Sequence, residues 1–87
     1  MSRRIAWDRR ALDDLRAILR QDQRLGQRIK TAIERYAEDD LGDVRKLAGT
    51  IDEYRLRVGE WRVLYKLEDG GRLLAVSRVL NRRDAYR

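Results

Sequence analysis

Hydrophobic positions along this 87-residue chain change period twice, and each change marks a new kind of element. The opening "RRIAWD" reads as a short strand with Ile5 and Trp7 on one face. Asp8 follows at the position of a helix N-cap, where its side chain is expected to accept from orphan backbone N–H groups. Ala11, Leu12, Leu15, Ile18 and Leu19 then recur with helical spacing. A second stripe runs through Leu25, Ile29, Ala32, Ile33, Tyr36 and Ala37, with Asp22 placed to cap it. Gly26 lies inside that stripe at a cost of about 1 kcal/mol against alanine, which predicts a frayed first turn. Two amphipathic helices joined by a short polar turn form a helical hairpin, and core packing accounts for both stripes.

The period becomes two in the second half. "EDDLGD" breaks the helical pattern, and "VRKLAGT" is either a short strand or an irregular approach to a sheet. Alternation over 54–58 and 61–67 predicts two strands linked by Gly59-Glu60, and glycine first in a two-residue loop suits a type II′ turn. In that register Val58 faces Trp61 and Arg57 lies opposite Arg62. Tyr54, Leu56, Val58, Trp61, Val63, Tyr65 and Leu67 share the core face, and Arg55, Arg57, Arg62, Leu64 and Lys66 project from the other. "EDGG" is the next turn. "RLLAVSRVL" is apolar on both faces, which predicts a central strand. If "DGG" is a three-residue turn, Arg78 stands opposite Arg62 and extends the arginine row. The order β-α-α followed by three or four antiparallel strands is an α+β domain, a helical hairpin covering one face of an antiparallel sheet. Its length allows a single domain, residues 1–87.

Charge sharpens this picture. The net charge is +6, and residues 44–87 carry eleven basic and six acidic side chains, so the excess is concentrated where the sheet is expected. Eighteen of the 21 basic residues are arginine. Arginine's planar fork binds phosphate bidentately and stacks on bases, although a GC-rich coding bias produces the same composition. Like charges directly opposite on paired strands cost roughly 0.2–1 kcal/mol. Water screens such a row on a wet surface, and an anion among the guanidinium groups makes it useful. The row is therefore read as a phosphate-binding face rather than a bare solvated one.

The available chemistry is narrow. The chain has no histidine and no cysteine, which excludes paired-imidazole RNA cleavage, zinc sites built on those ligands, disulfides and thiolate chemistry. Asp13-Asp14 and Asp39-Asp40 read as solvated or helix-end charges, not as a two-metal site, so neither metal nor cofactor is expected. No apolar run approaches the roughly 20 residues of a membrane helix, and no signal-peptide pattern opens the chain, which points to a cytoplasmic protein without a membrane partner. Tyr86, in the polar "NRRDAYR" tail, lies outside any apolar stripe and is either a terminal anchor or an acid–base group.

"VRKLAGTIDEYRLRVGEWRVLY" followed by "RVLNRRDAYR" resembles the RelE/ParE superfamily of type II toxins, on its RelE side. The resemblance covers nearly the whole chain. It implies a ribosome-dependent, metal-free endoribonuclease that cuts translated mRNA in the ribosomal A site. It further implies a cognate acidic antitoxin as partner, with operator DNA reached only through that antitoxin. Carried over by position, the family's transition-state arginine falls on Arg62, its second arginine on Arg82 and its catalytic tyrosine on Tyr86. Its basic strand residues fall on Arg55 and Arg57, where lysines are common. Lys46, Lys66, Arg78 and Arg83 complete the expected RNA-binding set. Where many relatives carry histidine or lysine before the paired arginines, this chain has Asn81.

Overall fold

The computed structural model describes the backbone of residues 2–85 and the side chains of residues 2–83. Strand β1 (Arg4–Trp7) leads into helices α1 (Arg9–Gln21) and α2 (Gln23–Asp39). Strands β2 (Asp43–Lys46), β3 (Glu53–Val58), β4 (Trp61–Glu68) and β5 (Leu73–Asn81) follow, and α3 (Arg82–Ala85) closes the described chain. The five strands form one sheet in the order β1-β5-β4-β3-β2.

The helical hairpin is organised by a single residue. The backbone N–H of Asp22 donates to the Ile18 carbonyl at 2.8 Å, ending α1. Its carboxylate accepts from the Leu25 N–H at 3.1 Å, starting α2. Asp8 holds the N-cap position of α1, but its side chain caps nothing; its carbonyl accepts from the Leu12 N–H and its own N–H donates to the Val76 carbonyl. Strand pairing has taken over the orientation that a side-chain cap otherwise sets.

Gly26 does not mark a frayed turn. It is buried, and a Cβ there would stand 2.3 Å from Leu19 Cδ2 and 3.2 Å from Leu19 Cα. The two helices touch through this position, so glycine's low helix propensity is the cost of close approach.

The core lies between the hairpin and one sheet face. Ala11, Leu15 and Ile18 of α1 and Ile29, Ile33 and Ala37 of α2 meet Leu56, Val58, Val63, Leu74, Val76 and Val79 of the sheet. Toward one end Tyr65 packs between Tyr36 and Tyr54, with ring centroids 5.5 Å from each. Burial of the Tyr65 ring, together with the Tyr36 hydroxyl beside it, pushes its pKa well above the ordinary tyrosine value. Arg3 ties the chain's start to this region: its guanidinium lies 5.3 Å from the Tyr36 ring centroid, pairs with Asp40, and donates through Nε to the Gly71 carbonyl at 2.9 Å.

The sheet is mixed where an antiparallel one was expected. β1 runs parallel to β5, with Arg4 beside Leu73 and Trp7 beside Val76. These strands lie some seventy residues apart, so no turn chemistry in the sequence encodes their relative direction. β5 is an interior strand between β1 and β4, as its two apolar faces predict, though β4 holds the centre, and "VRKLAGT" contributes to a short β2.

Substituting Gly26→Ala tests the helix contact. Propensity alone favours the variant by about 1 kcal/mol, whereas overpacking against Leu19 costs about 1–3 kcal/mol. The backbone carbon of Leu19 is among the atoms in the way, so urea denaturation should show a net loss of stability. A more stable variant would mean that the helices can separate at no cost.

Candidate phosphate-binding site

The hairpin between β3 and β4 has the register that alternation predicts. Val58 pairs with Trp61 and Arg57 with Arg62. Gly59 has φ +60°, and Glu60 is not among the described residues of positive φ, as a type II′ turn requires. The two opposed guanidinium groups are reconciled at this turn. Arg62 Nη1 donates to the carbonyls of Gly59 and Trp61, both at 3.1 Å, and Arg57 Nε reaches the Gly59 carbonyl at 3.5 Å.

A third arginine arrives from the end of β5. The Arg82 backbone N–H donates to the Glu60 carbonyl at 2.7 Å, and its guanidinium lies 3.9 Å from the Glu60 carboxylate. Asn81 supports this junction: its side-chain oxygen accepts from the Arg83 N–H at 3.3 Å, as a capping asparagine does at a helix start. On the far side of the turn, the Arg28 guanidinium of α2 lies 3.5–3.8 Å from where a Cβ on Gly59 would stand. Four arginines from four separate elements thus converge on Gly59-Glu60.

The row is not bare. Arg62 is 3% exposed and Arg55 9% exposed, while Arg57 is open to solvent. Arg55 shares the face of Arg57, one alternation further from the turn, opposite Leu64. Lys66 pairs across the hairpin with Glu53, its Nζ 3.7 Å from that carboxylate. Lys46 is exposed on β2 beside Tyr54, Arg83 is exposed at the start of α3, and Tyr86 lies outside the described residues.

Arg78 does not stand opposite Arg62, although its partner Leu64 puts it on the same sheet face. The turn between β4 and β5 has four residues, because Glu68 pairs with Leu73, and this shifts the register by one. A bulge at Ser77, whose hydroxyl donates to the Leu64 carbonyl at 3.0 Å, shifts it once more. Leu80 therefore stands opposite Arg62, and Arg78 pairs with Leu64. Asp14 of α1 holds Arg78 through bonds of 2.8 and 3.2 Å and also accepts from the Val79 N–H at 2.9 Å. Where β1 has ended, the Asp14 carboxylate takes the place of a neighbouring strand. Asp14 therefore does structural work that its reading as a solvated charge missed.

Among the described residues no group of histidine, cysteine, aspartate or glutamate could hold a metal ion. What the arrangement offers is fixed positive charge beside a sheet face. Arg28 and Glu60 were not singled out from the sequence. Arg28 falls on the polar stripe of α2, one turn from Arg24, and only the fold brings it to the hairpin.

Comparison with known proteins now assigns the family. The sequence model for the ParE toxin of type II toxin–antitoxin systems, parDE, matches residues 5–86. The chain belongs to this toxin family, within the RelE/ParE superfamily. No curated protein sequence matches it. Among solved structures, the RelB–RelE antitoxin–toxin complex from Methanococcus jannaschii is similar at 27% identity, with 93% of this chain and 94% of that chain covered and a TM-score of 0.75. A double arginine-to-alanine mutant of Escherichia coli RelE in the free state has 20% identity, coverage of 99% and 90%, and a TM-score of 0.78. The toxin–antitoxin complex RelBE2 from Mycobacterium tuberculosis has 19% identity, coverage of 94% and 100%, and a TM-score of 0.76. The two last resemblances speak for the shared fold: two helices against a five-stranded mixed sheet.

Replacing Asp14 tests its place in the toxin fold. Asp14→Ala removes charge-assisted bonds to Arg78 and leaves the Val79 N–H without its acceptor, so urea unfolding should register a loss of about 2 kcal/mol. Asp14→Asn, which can still accept from Val79, should lose less.

Proposed function

We propose that this toxin is a ribosome-dependent, metal-free endoribonuclease that cuts translated mRNA in the A site and is held inactive by an acidic antitoxin. The observation that supports it most is the convergence of Arg57, Arg62 and Arg82 on the Gly59-Glu60 turn. Cations fixed before substrate arrives, and aimed at charge that develops during reaction, are usually the largest catalytic term.

In this reading the mRNA 2′-hydroxyl attacks the adjacent phosphorus, and the bond from phosphorus to the 5′-oxygen breaks. Arg62 and Arg57 neutralise the phosphate oxygens as charge builds on them. Arg82 holds the same phosphate from the tail side, and Tyr86 gives its proton to the leaving 5′-oxygen. Arg55, Lys46, Lys66 and Arg83 attract the flanking backbone, while Arg78, its charge offset by Asp14, stands beside them. Arginine keeps its proton at neutral pH, and the amide of Asn81 is no base, so the 2′-hydroxyl proton passes to water.

An antitoxin partner is supported by the relatives solved as antitoxin–toxin complexes. Contact with operator DNA then runs through that antitoxin. No helix among the described residues is long and apolar enough to cross a membrane, which accords with action in the cytoplasm. A second reading is favoured by the matched family's own description as a ParE toxin: inhibition of DNA gyrase by protein contact. A third is a homologue that binds antitoxin and cuts nothing. Expression of the toxin alone separates them, since the first yields cleaved message, the second damaged DNA, and the third neither.

Because Arg62 is buried and bonded to the turn, Arg62→Lys is the cleaner test of its role: it keeps the charge and most of the side chain's bulk but loses the planar fork. Growth arrest should fall sharply while the melting temperature changes little. Undiminished arrest by a folded Arg62→Lys variant would count against the enzymatic reading.

Tyr86→Phe should slow single-turnover cleavage about 10²–10⁴-fold, the usual range for a general acid. Unchanged cleavage would leave Tyr86 as a terminal anchor and water as the acid.

A further inference from the structure

A groove of about 570 Å³ opens between α2 and the β3–β4 hairpin, on the side of the turn away from Arg62. Arg24, Arg28 and Arg35 of α2 and Arg57 of β3 line it, over a floor that includes Leu56 and Val58. No carboxylate lines the groove, and none of these four arginines takes part in an ion pair among the described residues. All four are exposed. Four unneutralised guanidinium groups around one concavity raise the local concentration of anions and leave a repulsion that an anion relieves.

We propose that this groove binds phosphates of the RNA strand that flank the cleaved linkage. The inference rests on the nuclease reading above and extends the site from one phosphate to a track. Continuity carries it. Arg57 belongs to both surfaces, lining the groove while its Nε turns to the Gly59 carbonyl that also receives Arg62. Arg28 lies against the same glycine from the helix side. A phosphodiester chain leaving Arg62 around the turn therefore meets Arg57 and Arg28 next, and Arg24 one helical turn beyond. That turn is a rise of about 6 Å, comparable to the phosphate repeat of an extended single strand. Arginine also suits this ligand, since its fork matches phosphate bidentately. No aromatic side chain lines the groove, so the track reads backbone rather than base.

The test is steady-state cleavage by the full chain on ribosomes programmed with message. Each phosphate contact on a single strand contributes about 0.7 to the slope of log affinity against log salt. An Arg24→Ala/Arg28→Ala double variant should flatten that slope by about 1.4 and raise KM about tenfold near 0.1 M salt. The loss should appear chiefly in KM, unlike that of Arg62→Lys, which acts on the rate at saturation. Unchanged KM and slope overturn the proposal. So does a double variant that keeps its RNA affinity but binds a purified acidic antitoxin more weakly, since the groove then belongs to a peptide. If the wild-type chain cleaves no message, the nuclease reading fails on its own. Fluorescence anisotropy of a labelled single-stranded RNA with the same two proteins then decides: weaker binding by the variant upholds the track, and equal binding overturns it.

Discussion

One carbonyl oxygen, that of Gly59, lets this sheet carry an arginine row. It accepts from Arg62 at 3.1 Å and from Arg57 at 3.5 Å, although these residues face each other across the strands as a like-charged pair. A backbone carbonyl cannot neutralise a charge, but its dipole replaces part of the water that each guanidinium gives up. For Arg62 this matters most, because it is nearly fully buried. Hydrogen bonding is the condition under which a charge can be held out of water without heavy cost. The type II′ turn is therefore more than a reversal of direction. Its glycine conformation aims a carbonyl at the groups that the strands bring together.

The rest of the fold serves to keep that turn in place. β5 must deliver Arg82 to the Glu60 carbonyl, and the core must receive Leu74, Val76 and Val79 from the same strand. Strict alternation cannot place 76 and 79 on one face. The bulge at Ser77 resolves the conflict by inserting one residue, and β5 then reaches Glu60 in the right register. β1 ends opposite Val76, so the strand beyond that point has no β1 neighbour. Asp14 covers that edge, satisfying the Val79 N–H and Arg78 at once. Helix, bulge and turn are thus linked, since each compensates for a polar group that another leaves open.

The sequence was most legible where a single period governed. Both helical stripes, the alternation in β3 and β4, and the pairing of Arg57 with Arg62 follow from spacing, because a face must be apolar to be buried. Failures came where two constraints compete. The length of the 69–72 turn and the bulge at Ser77 depend on which residues the core needs, and neither leaves a mark in the alternation of "RLLAVSRVL". Gly26 looked like a weakness by propensity, because the reason for it, Leu19, lies on the other helix. Burial of Arg55 and Arg62 was also hidden, since a pattern assigns side chains to a face without saying what covers it. Arg28 reaches the turn only through the packing of α2 on the sheet. The Asp8 carboxylate gave way to strand pairing as the organiser of its helix start.

The absence of histidine makes electrostatics the dominant question in this toxin. The turn gathers its positive charge from arginine side chains, those of Arg57, Arg62 and Arg82. Its charge can be cancelled only by an anion that comes to it. Glu60, in the turn itself, stands 3.9 Å from an exposed Arg82 and forms a weak surface pair with it. The C-terminal half, residues 44–87, carries eleven basic and six acidic side chains, an excess that attracts anionic partners. A basic surface beside such a turn is a place where an anionic partner can bind. In the reading proposed above that partner is an acidic antitoxin, which uses the same chemistry that attracts RNA, so inhibition and substrate binding compete for one set of guanidinium groups.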